Sequence, residues 1–196
     1  MNVILMHGKD ADPTQKWYPW LADELASRNI QFEAPTLPHA DEPDIKEWKA
    51  ELSNLQIDQD TVLVGHSRGG VAILRWLENQ PQELKVGRVI LVAANSGYIK
   101  DQTVLGETNK GFYTETGYDF KKIKKHCGEF VVLHSTDDQW VPYSQGTANA
   151  EGLDARLLTF EDYGHFGKGT REIPELLRAI LEPTLPENLG HIALDS

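Results

Sequence analysis

The run Thr61-Val62-Leu63-Val64 leads straight into Gly65-His66-Ser67-Arg68-Gly69 and then into an amphipathic segment from Val71 to Glu78. No other feature constrains the fold as strongly as this junction. A β-branched run bounded by glycine reads as a buried strand, and Val71, Ile73, Leu74 and Leu77 read as the inner face of a helix. A strand that enters a helix through so short a turn needs glycines on both sides of the serine, because a Cβ there would meet the bent backbone. The serine is then held at the carboxyl end of the strand, near the positive end of the helix, with its hydroxyl exposed. A G-x-S-x-G match by itself is weak, and its position between strand and helix is what gives it weight.

The other apolar runs place this junction in a repeating pattern. Strands are expected at Val3 to Met6, Gln31 to Ala34, Thr61 to Val64, Arg88 to Ala93, Phe130 to His134 and Arg156 to Phe160. Helical stripes fall between them, at Trp17, Trp20, Leu21 and Leu25, at Ile45, Trp48, Leu52 and Leu55, and from Pro174 through Ile180 to a stop at Pro183. Val89 to Val92 and Phe130 to Leu133 are apolar at every position, as strands buried on both faces are. Strand alternating with helix points to an α/β protein with a parallel sheet. At 196 residues and 40% hydrophobic content the chain suits one domain, over residues 1–183, with a patternless tail over 184–196.

Composition narrows the partners. A formal net charge of −11 disfavours nucleic-acid phosphate and anionic membrane surfaces. The basic cluster Lys121-Lys122-Ile123-Lys124-Lys125 reads as the solvated face of a short helix. One cysteine, Cys127, leaves no internal disulfide, and no Cys/His spacing suggests zinc. No basic leader or long apolar run opens the sequence, so the expectation is a soluble cytoplasmic protein acting on a small molecule.

A serine hydroxyl is a poor nucleophile at neutral pH and needs a base and an orienting carboxylate. Both follow in the chain. After Phe130 to His134 comes Ser135-Thr136-Asp137-Asp138-Gln139-Trp140-Val141-Pro142, and after Arg156 to Phe160 comes Glu161-Asp162-Tyr163-Gly164-His165-Phe166. Asp137 and Asp138 both qualify as the acid, and either would also serve as a turn-capping residue. His66 and His7 read as structural hydrogen-bonding groups, and Cys127 as a packing residue.

Together, Trp17-Tyr18-x-Trp20, Gly65-His66-Ser67-x-Gly69, Ser135-Thr136-Asp137-Asp138-x-x-Val141-Pro142 and Gly164-His165-Phe166 resemble the small α/β-hydrolase-fold serine hydrolases of the retinoblastoma-binding-protein-nine type. The resemblance spans nearly the whole chain. It implies a six-stranded, mainly parallel sheet of order 2-1-3-4-5-6, with the topological reversal beside strands one and three. It also implies Ser67 as nucleophile, Asp138 as acid, by its spacing from Val141-Pro142, and His165 as base. The backbone N–H groups of Arg68 and Lys9 would form the oxyanion hole. Arg68 departs from the small or apolar residue expected after the nucleophile, which makes its guanidinium either a substrate contact or one half of a surface salt bridge.

The expected chemistry is acyl transfer from an ester to water, with no cofactor or metal. Two classes compete with it: a non-catalytic binding module on the same fold, and a peptidase or thioesterase with the same residues. The segment from Ser96 to Tyr118 is polar and glycine-rich, so little or no lid is expected, and short acyl groups should be preferred. Trp17, Tyr98, Tyr113, Trp140 and Phe166 are the aromatic candidates to line the open cleft, with ordinary packing as the alternative for each.

Overall fold

Every strand of the sheet is parallel to its neighbours, and the reason lies in which strands can bear full burial. The computed structural model describes residues 1–99 and 111–182. Its strands are β1 (Asn2–Met6), β2 (Gln31–Glu33), β3 (Thr61–His66), β4 (Arg88–Val92), β5 (Phe130–Ser135) and β6 (Arg156–Phe160), in the spatial order β2-β1-β3-β4-β5-β6. β3, β4 and β5 are buried at every residue, whereas the edge strands β2 and β6 are partly exposed. The continuous apolar runs therefore occupy the middle of the sheet, where both faces are covered.

The helices are α1 (Tyr18–Ala26), α2 (Ile45–Asn54), α3 (Arg68–Leu77), α4 (Phe120–Ile123), α5 (Tyr143–Leu153) and α6 (Pro174–Leu181). They divide the core in two. On one face, Trp48 and Leu52 of α2 and the apolar residues of α3 pack with Ile4, Leu63, Leu91 and Val132. On the other, Tyr18, Leu21 and Leu25 of α1 and Leu176 and Ile180 of α6 pack with Leu5, Val64, Ile90 and Val131. Each large apolar side chain taken fully out of water contributes about 1.5–3 kcal/mol, so the two faces together supply the main driving force for folding.

The expected strands, their order and single-domain architecture are all present, and the sheet is wholly rather than mainly parallel. β3 runs two residues further than its apolar run, through Gly65 and His66, and β2 stops one residue earlier, at Glu33. α5 has no counterpart in the sequence reading. Its segment is built of small and polar residues, and two glycines make its closest contacts: a Cβ on Gly146 would stand 2.5 Å from the His134 ring, and one on Gly152 would stand 2.3 Å from Phe120. The tail over 184–196 and the central part of the lid segment, 100–110, lie outside the described residues. Flanking that part, Tyr98 forms an isolated bridge with Thr114, and Arg75 of α3 holds the carbonyls of Gly97, Phe112 and Gly117.

No helix among the described residues is long and apolar enough to cross a membrane. Register brings the carboxyl ends of β1 and β3 side by side, with Met6 opposite Gly65. The loop after β1 and the turn after β3 therefore emerge together at the reversal in strand order, where open parallel sheets bind ligands.

Candidate active site

Ser67 sits between β3 and α3 with φ 53° and ψ −121°, a left-handed backbone that a residue with a Cβ rarely adopts. Its surroundings impose that shape. The Ser67 N–H donates to the Val92 carbonyl at 2.8 Å, anchoring the turn on β4. A Cβ on Gly69 would lie 2.1 Å from the Met6 carbonyl oxygen, and one on Gly65 would lie 2.3 Å from the Gly70 Cα. Only glycine permits α3 to begin this close to β1 and to its own strand. Gly8 makes a looser approach on the far side, where a Cβ would stand 3.1 Å from that of Ser67.

The partners arrive from β5 and β6. His165 Nε2 lies 2.8 Å from Ser67 Oγ, and His165 Nδ1 lies 2.7 Å from Asp138 Oδ2. Asp138 Oδ1 accepts the backbone N–H groups of Trp140 at 2.8 Å and Val141 at 2.9 Å. Burial by itself would raise the Asp138 pKa, but the bonds from the His165 ring, Val141 and Trp140 outweigh it and hold the carboxyl below its usual range. Such a carboxylate fixes the imidazole with its proton on Nδ1, leaving Nε2 to accept from the serine hydroxyl.

Asp137 faces elsewhere. Its Oδ1 accepts Ser135 Oγ at 2.5 Å and the Gly164 N–H at 3.0 Å, tying the β5 turn to the loop that carries His165. The neighbouring carboxylates therefore divide the work, one holding the His165 ring and the other its backbone. Asp138 rather than Asp137 meets the histidine ring, as the Val-Pro spacing implies.

Behind the site stands a wall of buried rings. His66 Nε2 donates to the His165 carbonyl at 2.9 Å, and the Tyr18 hydroxyl donates to His66 Nδ1 at 2.6 Å. Trp17 Nε1 donates to the Phe166 carbonyl at 3.2 Å. Burial lowers the His66 pKa well below the ordinary 6.5, so the ring stays neutral and its tautomer is fixed. His7 is also a buried structural group, donating to the Gly8 carbonyl and accepting the Leu37 N–H. His134, completely buried, donates to the Val141 carbonyl at 2.9 Å and so supports the acid turn. Cys127 is a packing residue, its thiol pushed up to about 11 by burial.

Four expectations change. Trp17 and Phe166 have no exposed surface and cannot touch a substrate; they are core residues whose backbone and indole groups set the His165 loop. Tyr98 is exposed but lies away from the cleft lining. Arg68 forms no salt bridge with any described acidic residue. Instead its guanidinium stacks over Phe112 at 5.4 Å and Tyr113 at 5.8 Å. Arg68 and Trp140 do line the cleft, an open depression of about 1050 Å³ that contains Ser67 and His165. Lys9 lines it too. Neither the Lys9 nor the Arg68 backbone N–H finds an acceptor among the described residues, the latter being one of the four that a helix start leaves unsatisfied.

Arg75 escaped the sequence reading, although its position four residues after Val71, on the buried stripe of α3, marked it as a charge turned inward. It pairs with Glu78 at 2.9 Å and stacks over Tyr118 at 4.5 Å. Through its bond to the Phe112 carbonyl it also fixes one of the rings beneath Arg68.

A strained serine at a strand-to-helix turn, a histidine bridging it to a carboxylate and an all-parallel sheet of this order define an α/β-fold hydrolase. Comparison with known proteins gives the family: residues 3–178 match the family described as serine hydrolase, and the chain belongs to it. It is 34% identical to YdeN of Bacillus subtilis (strain 168) over 167 residues, 84% of this chain and 85% of that protein. It is 29% identical to the serine hydrolase RBBP9 of Rattus norvegicus over 175 residues, covering 88% and 89% of the two chains. The crystal structure of YdeN superposes with a TM-score of 0.80 at 30% identity, over 92% of this chain and 98% of that one. Est1E from Butyrivibrio proteoclasticus, at 14% identity and a TM-score of 0.65 over 91% and 84% of the chains, shares the fold.

Proposed function

We propose that the chain is a carboxylesterase-like acyl hydrolase with Ser67 as nucleophile, His165 as general base and Asp138 as orienting acid. One observation carries this reading: the His165 ring bridges Ser67 Oγ at 2.8 Å and Asp138 Oδ2 at 2.7 Å. His165 Nε2 takes the hydroxyl proton as Ser67 Oγ bonds to the ester carbonyl carbon. The negative oxygen that forms points toward the N–H groups of Lys9 and Arg68, and the adjacent Asp138 carboxylate stabilises the imidazolium. Collapse breaks the bond to the alcohol oxygen, which leaves with the proton from His165. Water then gives a proton to the same nitrogen and its oxygen to the acyl carbon, freeing the acid and restoring Ser67.

Labelling with a fluorophosphonate probe tests the nucleophile. The expected result is one adduct on Ser67 in the wild type and none in Ser67→Ala, with ester turnover lost in parallel. Labelling that persists in Ser67→Ala overturns the assignment. Rates on matched ester, thioester and amide substrates then rank the acyl bond, with the ester expected fastest.

A further inference from the structure

The cleft carries a charge opposite to that of the molecule. In a chain of net charge −11, five basic residues, Lys9, Lys16, Arg68, Lys168 and Arg171, line it against three acidic ones. Lys9 is neutralised by Asp10, 2.9 Å away, but Arg68 has no carboxylate partner among the described residues. Its Nη1 is buried and makes no hydrogen bond among the described residues. A half-desolvated guanidinium short of acceptors is costly, and the part of Arg68 that lines the cleft is where an anion can offset that cost. The stacking of Arg68 on Phe112 and Tyr113 also restricts its guanidinium, so little conformational freedom remains to be lost when it binds an anion.

Position says which part of a substrate that anion belongs to. His165 must protonate the departing alcohol, so the leaving group lies on the His165 side, where Phe166 packs in the core beneath α1 and α6. Arg68 lies across Ser67 from it, against Phe112, which packs with Trp48 in the core beneath α2 and α3. The acyl chain therefore runs toward Arg68. Because Ser67 and Arg68 are consecutive and both line the cleft, an anion within reach of the Arg68 side chain belongs to a short acyl group. A single guanidinium fork matches the two oxygens and single charge of a carboxylate.

On the hydrolase reading above, we propose that the preferred substrates are half-esters of short dicarboxylic acids, the free carboxylate held by Arg68. The test compares monoethyl glutarate with diethyl glutarate, followed by acid release at constant pH, in wild type, Arg68→Lys and Arg68→Leu. The readout is the ratio of kcat/KM for charged over neutral ester within each protein, so any general change in turnover cancels. A ratio of at least about tenfold is expected in the wild type, the size of one charge-assisted bond. It should shrink in Arg68→Lys and fall below about threefold in Arg68→Leu.

A wild-type ratio near one, or a ratio that survives in Arg68→Leu, overturns the inference. So does a preference for 4-acetoxybenzoate over phenyl acetate with none for monoethyl glutarate, since that places the anion on the leaving group. Fluorophosphonate labelling of Ser67 separates the two failures. If Ser67 labels and the charge ratio is near one, only this inference falls; if Ser67 neither labels nor turns over any ester, the hydrolase reading falls with it.

Discussion

The elbow after β3 and the acid turn after β5 each deliver one side chain to His165, and they are built from different materials. The elbow is held by backbone against backbone: Gly69 lies under the Met6 carbonyl, Gly65 lies against Gly70, and Ser67 takes up a left-handed φ of 53°. The acid turn is held by hydrogen bonds, with the Trp140 and Val141 N–H groups on Asp138, His134 on the Val141 carbonyl and Asp137 on the Gly164 N–H. On the proposed mechanism, a nucleophile has to be placed by something that does not occupy its own oxygen, and strained backbone does that. An orienting carboxylate must stay ionised, and donors aimed at it do that.

Removing the two delivered side chains should have the largest effects. Ser67→Ala is expected to lower kcat by about 10⁴-fold or more, and Asp138→Asn by roughly 10³–10⁴-fold, with unfolding midpoints close to wild type for the serine variant. Single-turnover kinetics on an activated ester, with circular dichroism as the fold control, measures both. Recovery of most of the activity in Asp138→Asn would mean that His165 is oriented by something else.

The supporting glycines separate the two materials next. Gly69→Ala sets a methyl group against fixed backbone and should cost more than about 3 kcal/mol or prevent folding. Gly146→Ala meets the His134 ring, a side chain that can turn, so about 1–2 kcal/mol and a several-fold loss of kcat are expected. Urea unfolding ranks them, and equal costs would remove the distinction drawn above. Asp137→Asn should be milder still in kcat, about tenfold or less, because it loosens the His165 backbone without touching the ring. A loss larger than that of Asp138→Asn would reverse the assignment of the two carboxylates.

Acid should loosen both regions in small steps. Burial holds His7 and His66 beside the elbow, and His134 beside the acid turn, below the ordinary 6.5. Below 6.5 the unfolded chain binds protons that these folded rings refuse. Their contribution to stability is therefore complete above that pH and is lost as pH falls toward the depressed folded values. Each ring can account for up to about 1.4 kcal/mol per pH unit within that window. Urea midpoints at pH 7.5, 6.5 and 5.5 should decline, and less steeply in His66→Gln. An unchanged slope in that variant would show that His66 is not held neutral.

How much of this was visible in the residues follows from the same contrast. Strands buried on both faces advertise themselves as unbroken apolar runs, and α3 has both a stripe and a glycine-flanked start, so the strands and the elbow could be read directly, whereas the strand order came only from the family resemblance. α5 could not, because it packs through Gly146 and Gly152, and close approach by glycine leaves no periodic signal. Asp137 and Asp138 were indistinguishable by chemistry and were separated only through a family resemblance. Trp17 and Phe166 were misplaced because proximity to a motif in sequence does not tell a wall from the framework behind it. Arg75 broke the apolar stripe of α3, a sign of an inward charge that needed the three carbonyls it binds to become intelligible.

The left-handed backbone at Ser67 sets heat tolerance against turnover at a single position. A Cβ in that conformation costs about 1–3 kcal/mol, and only the residue without one escapes the cost. Ser67→Gly should therefore melt above Ser67→Ala, by the few degrees that about 1–2 kcal/mol represents in a domain of this size after the greater freedom of unfolded glycine is subtracted. Scanning calorimetry of the pair measures it, and a lower melting point for the glycine variant would mean that the elbow is not strained. On the proposed mechanism, glycine at this position would give the sturdier protein and lose the reaction, so the serine serves the chemistry and not the fold.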